Sequence, residues 1–285
     1  MNDCMEIFDV AFYRSQNRDL ADLGMSDGQL RDHFQAHGVR EARPYAKTDT
    51  TAASMSMRWL RGSGIEVGAG KWPTPMFGFS SLEFGEVDRK FAFGGKAATH
   101  WFDIGGEAPA SLRDRYDFAI ASHVLEHCDS LLRGIVNMLD VVRSDGLAYI
   151  VLPDKRHLGD KEFIIDFDIK HHLDEFEMPL LYADIHDSAY MIYAPVEEYA
   201  NEHAVLAQEY RDQIRDGRIA PEFRFMHHKH NYSFAKWLEV MSGLQSETGF
   251  FDIEDAAFGR DRLDCHFVLR KKPAFKPAPP IRNDP

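Results

Sequence analysis

The residues that could do chemistry begin at Glu66. The stretch Gly64-Ile65-Glu66-Val67-Gly68-Ala69-Gly70 is a short apolar strand that ends on an acid and runs into a glycine-rich turn. Glycine leaves the backbone bare and tolerates positive φ. A carboxylate at a strand end accepts hydrogen bonds from a hydroxylated or charged ligand. Such turns serve dinucleotides and phosphates as well as nucleosides, so the neighbouring acids decide. Asp88 follows a second predicted strand, Asp103 belongs to a third, and Ser122-His123 closes a fourth. An open parallel sheet binds ligands beyond the carboxyl ends of its strands. There the Asp88 carboxylate suits two vicinal ribose hydroxyls, and Asp103, one strand further out, suits an adenine amino group. No GxxxxGK[ST] run and no basic cluster accompanies the turn, which favours a nucleoside over a polyphosphate.

Histidines form the second set. His123-Val124-Leu125-Glu126-His127 matches the pattern HxxEH. On a helix its two imidazoles would share a face and grip one zinc ion while the glutamate activates water. The apolar run 116–122 instead reads as a buried strand that sets His123 at a strand end, and no third ligand motif follows. His171-His172 and His227-His228-Lys229-His230 read as the polar rim of a pocket, and no acid triad calls for a divalent ion. No metal is therefore expected. A hydroxyl acceptor benefits from a general base, most often histidine. The candidates are His123, His127, Asp154, His157 and His230. His157 and His230 come first because their segments border the substrate side, and His123 follows. In the blander reading, His123 and Glu126 only hold their loop by hydrogen bonds.

Positioning these residues requires alternating strands and helices. Strands are expected at 65–67, 82–87, 100–104, 116–122 and 147–152, with a helix at 131–142 and a turn at Ser144-Asp145-Gly146. This order indicates a parallel α/β sheet. A helix at 233–244 and two strands, 250–253 and 265–269, close the chain as antiparallel neighbours. Residues 154–231, rich in His, Asp, Glu and aromatics, read as an insertion on the substrate side, with an exposed helix at 197–214. A short helix within 46–62 leads into the first strand and is expected over the pocket. The tail 273–285 holds Pro273, Pro277, Pro279 and Pro280 and is expected to be disordered.

Composition narrows the function classes. The 285 residues are 44% hydrophobic, enough for one good-sized core and a small appendage. Asp and Glu outnumber Lys and Arg, 46 to 33, for a net charge of −13, which disfavours nucleic acid or an anionic membrane as main partner. No [DN]PP[YF] run points to a DNA base as substrate. Three widely spaced cysteines, Cys4, Cys128 and Cys265, give no disulfide framework. The start lacks a signal-peptide pattern, and no apolar stretch reaches the ~18 residues of a membrane span. A cytoplasmic protein is expected.

Two resemblances add to this reading. Phe8-Asp9-Val10-Ala11-Phe12-Tyr13, Asn17-Arg18-Asp19-Leu20, His33-Phe34 and His37-Gly38-Val39-Arg40-Glu41-Ala42-Arg43-Pro44 resemble a short helical module of bacterial glycosyltransferases and related surface-polysaccharide enzymes. Residues 1–46 are assigned to it, and they would pack on the main domain, on a partner protein or on a second copy. Ile65 to Gly70, Glu86-Val87-Asp88-Arg89, Asp117 to His127 and Val142 to Arg156 resemble class I S-adenosylmethionine-dependent methyltransferases. His228 to Trp237 and Cys265 to Leu269 resemble a bacterial branch of them associated with polysaccharide clusters. The resemblance spans roughly residues 60–270, with the domain assigned to 47–272, and implies a Rossmann-like, mostly parallel seven-stranded sheet with a C-terminal antiparallel hairpin. It implies S-adenosyl-L-methionine as cofactor, with Glu66, Gly68 and Gly70 at its methionine end, Asp88 at the ribose and Asp103 near the adenine. Ala69, Ile104, Ser122 and His123 complete the expected contacts. The chain departs from the pattern at Lys71-Trp72-Pro73-Thr74-Pro75, where many members carry a further glycine. The implied activity is methyl transfer, with a sugar or glycan-linked hydroxyl expected as acceptor from the N-terminal resemblance. The alternatives are a non-catalytic nucleoside-binding docking or regulatory subunit of a glycan assembly system and, behind it, a zinc hydrolase.

Overall fold

A computed structural model of the chain describes residues 8–38, 43, 50–69, 79–87, 98–157, 166–178, 228–259 and 264–278. Seven strands form one sheet: β1 (Ser63–Val67), β2 (Ser81–Glu86), β3 (His100–Trp101), β4 (Tyr116–Ser122), β5 (Val142–Pro153), β6 (Phe251–Phe258) and β7 (Asp264–Lys271). Their order is β3-β2-β1-β4-β5-β7-β6. β1 pairs in parallel with both β2 and β4, β2 with β3, and β4 with β5; β7 runs antiparallel between β5 and β6. The expected mostly parallel sheet with an antiparallel C-terminal pair is the one observed. β3 is shorter than expected, and β5 starts five residues earlier because the 144–146 turn is absorbed into the strand, with Asp145 at φ 65°.

The two faces of the sheet follow the period-two alternation of extended chain. Ile65, Val67, Ala119, Ala121, Ala148, Ile150, Phe267 and Leu269 face one core, shared with α5 (Leu131–Val141) and α7 (Phe234–Thr248). α5 is buried along its whole length, as a helix apolar around most of its surface must be. Phe118, Ile120, Tyr149, Val151 and Val268 face the other way, against Met55 and Leu60 of the segment containing α4 (Thr50–Trp59). Trp59 Nε1 also donates to Asp255 Oδ2 of β6 at 2.8 Å. α4 thus covers a face of the sheet rather than its ligand edge, contrary to the sequence expectation.

The opposite side of α4 receives the N-terminal helices α1 (Val10–Gln16), α2 (Arg18–Asp22) and α3 (Asp27–His33). Asp9 caps the first through Phe12 N–H, and Ser26 and Gln29 form a reciprocal capping box on the third. Phe8, Tyr13, Leu20, Leu30 and Phe34 close with Ala53 and Met57 into a separate small core. This unit buries too little by itself, and it docks on the main domain through α4.

Two corrections concern the ends of the chain's second half. Phe275 packs edge-on against Phe250 at 5.9 Å, and with Ala278 it lies against the main core, so residues 273–278 are not the free tail expected from their prolines. Within the insertion, α6 (Ile169–Glu177) forms, capped by Asp168; Ile169, Leu173 and Phe176 at i, i+4, i+7 were its signal. The helix expected at 197–214 lies outside the described residues. No helix among the described residues is long and apolar enough to cross a membrane.

Candidate functional site

The strand order reverses beside β1: β2 and β3 extend one way from it and β4 and β5 the other. Such a reversal opens a crevice at the carboxyl ends of the two central strands. Glu66 is the buried penultimate residue of β1, and Gly68 follows the strand at φ 66°. Gly68 N–H donates to Gly85 O at 2.8 Å, and a Cβ at this position would stand 2.5 Å from Val124 Cγ2. Backbone angle and space both demand glycine here. The turn is thereby seated between the end of β2 and the loop after β4. Ala69 is half-buried. Gly70, the departure at 71–75 and Asp88 lie outside the described residues.

The loop after β3 carries Asp103, whose Oδ1 accepts from Gly105 N–H at 2.8 Å. Its side chain opens to solvent, yet surrounding protein crowds it and raises its pKa; Asp129 adds to the rise and Lys229 opposes it. Ile104 beside it is buried. Asn137 of α5 donates to Ile104 O at 2.7 Å and to Gly106 O at 3.0 Å. Sequence reading passed over Asn137. Its signal was the single amide in a mostly apolar helix, and a buried amide must find partners.

Beyond half-buried Ser122, His123 adopts φ 55° while its N–H donates to Val151 O at 3.0 Å. A left-handed histidine is a local strain of roughly 1–3 kcal/mol, a kind that clusters at functional sites. Its side chain is 46% exposed; Nε2 stands 3.1 Å from Asp264 Oδ1 and Nδ1 3.6 Å from Glu126 Oε1. Leu125–His127 then form a 3-10 turn. His123 and His127 therefore share no α-helical face, and the helical premise of the zinc-hydrolase pattern is not met. Glu126 is wholly buried, and neither carboxylate oxygen has a hydrogen-bond partner among the described residues. His127 Nε2 is 3.8 Å from Oε1.

The segment 228–232 is clipped onto this turn. Lys229 and His230 N–H both donate to Glu126 O, at 2.7 and 3.1 Å. The His127 and His228 rings lie 4.7 Å apart, and Lys229 Nζ pairs with Asp129. Tyr232 bridges to Asp154. Asp154 is buried and accepts from the Arg156 guanidinium at 2.8 Å and from Phe234 N–H at 2.9 Å. Burial works to raise its pKa, but these partners hold it below the usual carboxylate value. Its place is to join the start of α7 to β5. Lys155–His157 form a 3-10 turn, and the side chain of His157 lies outside what is described.

His230 turns inward instead of lining the crevice. It is wholly buried, its Nε2 2.9 Å from Glu175 Oε2. Glu175, also fully buried, meets His171 Nε2 at 3.3 Å and accepts from His172 Nδ1 at 3.1 Å and Leu131 N–H at 2.7 Å. Tyr232 hydroxyl completes the hub by donating to His172 Nε2 at 3.0 Å. Burial opposes charge on Glu175, but His230, His171 and His172 together hold its pKa well below the ordinary range; burial lowers that of His230.

No protein-family model matches the chain, and no curated protein does. Among solved structures it is similar to an S-adenosylmethionine-dependent methyltransferase from Mesorhizobium loti, at 12% identity over 78% of this chain and 97% of that one, with a TM-score of 0.41. It is also similar to the CMeT domain of citrinin polyketide synthase, at 10% identity over 92% of this chain and 65% of that one, with a TM-score of 0.41. A third is the CurJ carbon methyltransferase, at 14% identity and a TM-score of 0.36, where 74% of this chain spans 49% of the other. Likenesses this distant leave the functional reading to the chain's own residues.

Proposed function

We propose that the chain is an S-adenosylmethionine-dependent methyltransferase acting on a hydroxyl of a sugar or glycan-linked acceptor. The observation that carries the proposal is the strand reversal between β1 and β4, with Glu66 to Ala69 on one side and Ser122 to His127 on the other. The described residues fit the cofactor. Gly68 keeps its backbone bare, Glu66 supplies an acid at the strand end, and Asp103 with Ile104 stands one loop further out. Asp88 is proposed to take the ribose and Gly70 to extend the turn. When bound, the cofactor supplies an electrophilic methyl group.

The chain's residues then hold the acceptor and receive its proton. His123 is the proposed base: it is exposed at the end of β4, with Asp264 holding Nε2–H and so leaving the lone pair on Nδ1. That nitrogen would take the hydroxyl's proton. The sugar acceptor rests on the N-terminal resemblance, a module-level analogy.

Calorimetric titration with S-adenosylmethionine tests the cofactor, and methyl transfer onto cell-envelope sugar fractions tests the acceptor. Asp88→Ala is expected to weaken cofactor binding by at least ~10-fold, the loss of a charged hydrogen-bond acceptor. Unchanged affinity in that variant would refute the ribose assignment, and no binding by the unaltered protein would refute the whole reading. Binding without turnover on any fraction would favour the docking-subunit alternative.

A further inference from the structure

Among the described residues, the Glu126 side chain has no hydrogen bonds to account for its burial. A wholly buried carboxylate whose two oxygens lack hydrogen-bond partners among the described residues is among the most costly groups a fold can carry, and a bound cation offsets that cost. We propose that Glu126, His127 and His228 form a divalent-cation site. Their ligand atoms all lie within 4.8 Å of one another. Ligands of one ion at about 2.0–2.2 Å stand roughly 3–4 Å apart. Glu126 Oε1 and His127 Nε2, at 3.8 Å, already satisfy this, and a small rotation of His228 brings in the third.

The backbone supports the convergence. His127 and Glu126 share the 3-10 turn after β4, and the two hydrogen bonds from Lys229 and His230 to Glu126 O fix the segment that presents His228. Two imidazoles and one carboxylate suit zinc, manganese or iron(II) better than magnesium or calcium. The two histidines are partly exposed while the carboxylate is sealed, which leaves the remaining coordination positions on the solvent side. The second group with metal-like spacing, His171, Glu175 and His230, differs: its carboxylate already accepts from Leu131 N–H and His172 Nδ1.

The site itself stands apart from the methyltransferase reading. Only its role rests on that reading: an ion here would bind the acceptor hydroxyl beside His123 and make it easier to deprotonate. The pattern differs from HxxEH zinc hydrolysis, because Glu126 is a ligand, His228 replaces His123, and the turn is not an α-helix.

The test uses the full chain without an affinity tag, stripped with chelator and titrated calorimetrically with Zn²⁺ and, separately, Mn²⁺, in the absence of S-adenosylmethionine. One equivalent of ion is expected to bind. His228→Ala is expected to weaken binding by at least ~100-fold, more than loss of an outer partner, and His171→Ala to leave it unchanged. Should His228→Ala not fold, the isosteric Glu126→Gln carries the same expectation. Stoichiometric Co²⁺ should give a visible absorption spectrum that the variant lacks. No uptake of either ion, unchanged uptake in the variant, or uptake lost in His171→Ala would overturn the site. Because cofactor is absent, these results do not depend on cofactor binding.

Discussion

Among the described residues, two glutamates are wholly buried beside histidines, and they are held in opposite ways. Glu175 accepts from a backbone N–H and an imidazole and is flanked by two further imidazoles at 2.9 and 3.3 Å. Glu126 has histidines no nearer than 3.6 and 3.8 Å, beyond hydrogen-bond reach, and no donor among the described residues. The first is a closed structural knot tying α6 to the start of α5 and to segment 228–232. The second is an open carboxylate at the end of β4, beside the strand reversal. Burial alone thus does not separate structural from functional acids; the count of satisfied lone pairs does.

The largest effect expected is on the closed side. Glu175→Ala leaves Leu131 N–H and three imidazoles around an emptied site. Removing one partner of a buried charged cluster costs about 3–5 kcal/mol, a large part of the 5–15 kcal/mol typical of a whole domain. Urea unfolding should show this as a lower midpoint at similar slope. A loss below about 1 kcal/mol would mean that Glu175 is not the fastener described.

Acid should loosen the same knot in two stages. The pKa of His230 lies below its ordinary 6.5 and that of Glu175 well below 4.5. Both are depressed on folding, so their contribution to stability is present above the unfolded values and fades as pH falls. His230 acts first, below about pH 6.5, and Glu175 below about pH 4.5. Asp103, raised on folding, works in the opposite direction. The thermal midpoint is expected to fall between about pH 7.5 and 5.5, with a shallower fall in His230→Gln. An equal slope in that variant would remove His230 from the account.

The sheet was legible because its signals are local. Apolar runs, the glycine turn and the turn-bounded helix at 131–141 set β1, β4, β5 and α5 within a few residues. Gly68 was read as a turn glycine, but its contact with Val124 joins residues 56 positions apart and has no local sign. The histidines were visible as a motif and as runs, but not by the partners they meet. His228 and His230 are two residues apart in one extended segment, yet one joins Glu126 at the open edge and the other Glu175 inside. Which glutamate each meets depends on where α6 docks, and α6 lies in the stretch read only as an insertion. The tail misled for a related reason: its prolines suggested a free chain, while Phe275 had an aromatic partner in Phe250.

The smallest effect on stability, and the sharpest contrast, is expected at Glu126. Glu126→Gln keeps shape and volume and removes a charge that, among the described residues, has no hydrogen bond to lose. In the chelated protein the change should therefore be within about 1 kcal/mol of zero, and stabilising if the charge is uncompensated there. With saturating Zn²⁺ the unaltered protein should gain stability in proportion to ion occupancy, and the variant should gain far less. The paired comparison isolates the carboxylate: a structural Glu126 would destabilise both forms equally on replacement, whereas a ligand separates them only when the ion is present. If Glu126→Gln instead costs as much as Glu175→Ala without ion, the two glutamates are the same kind of fastener and the distinction between the closed and open sites fails.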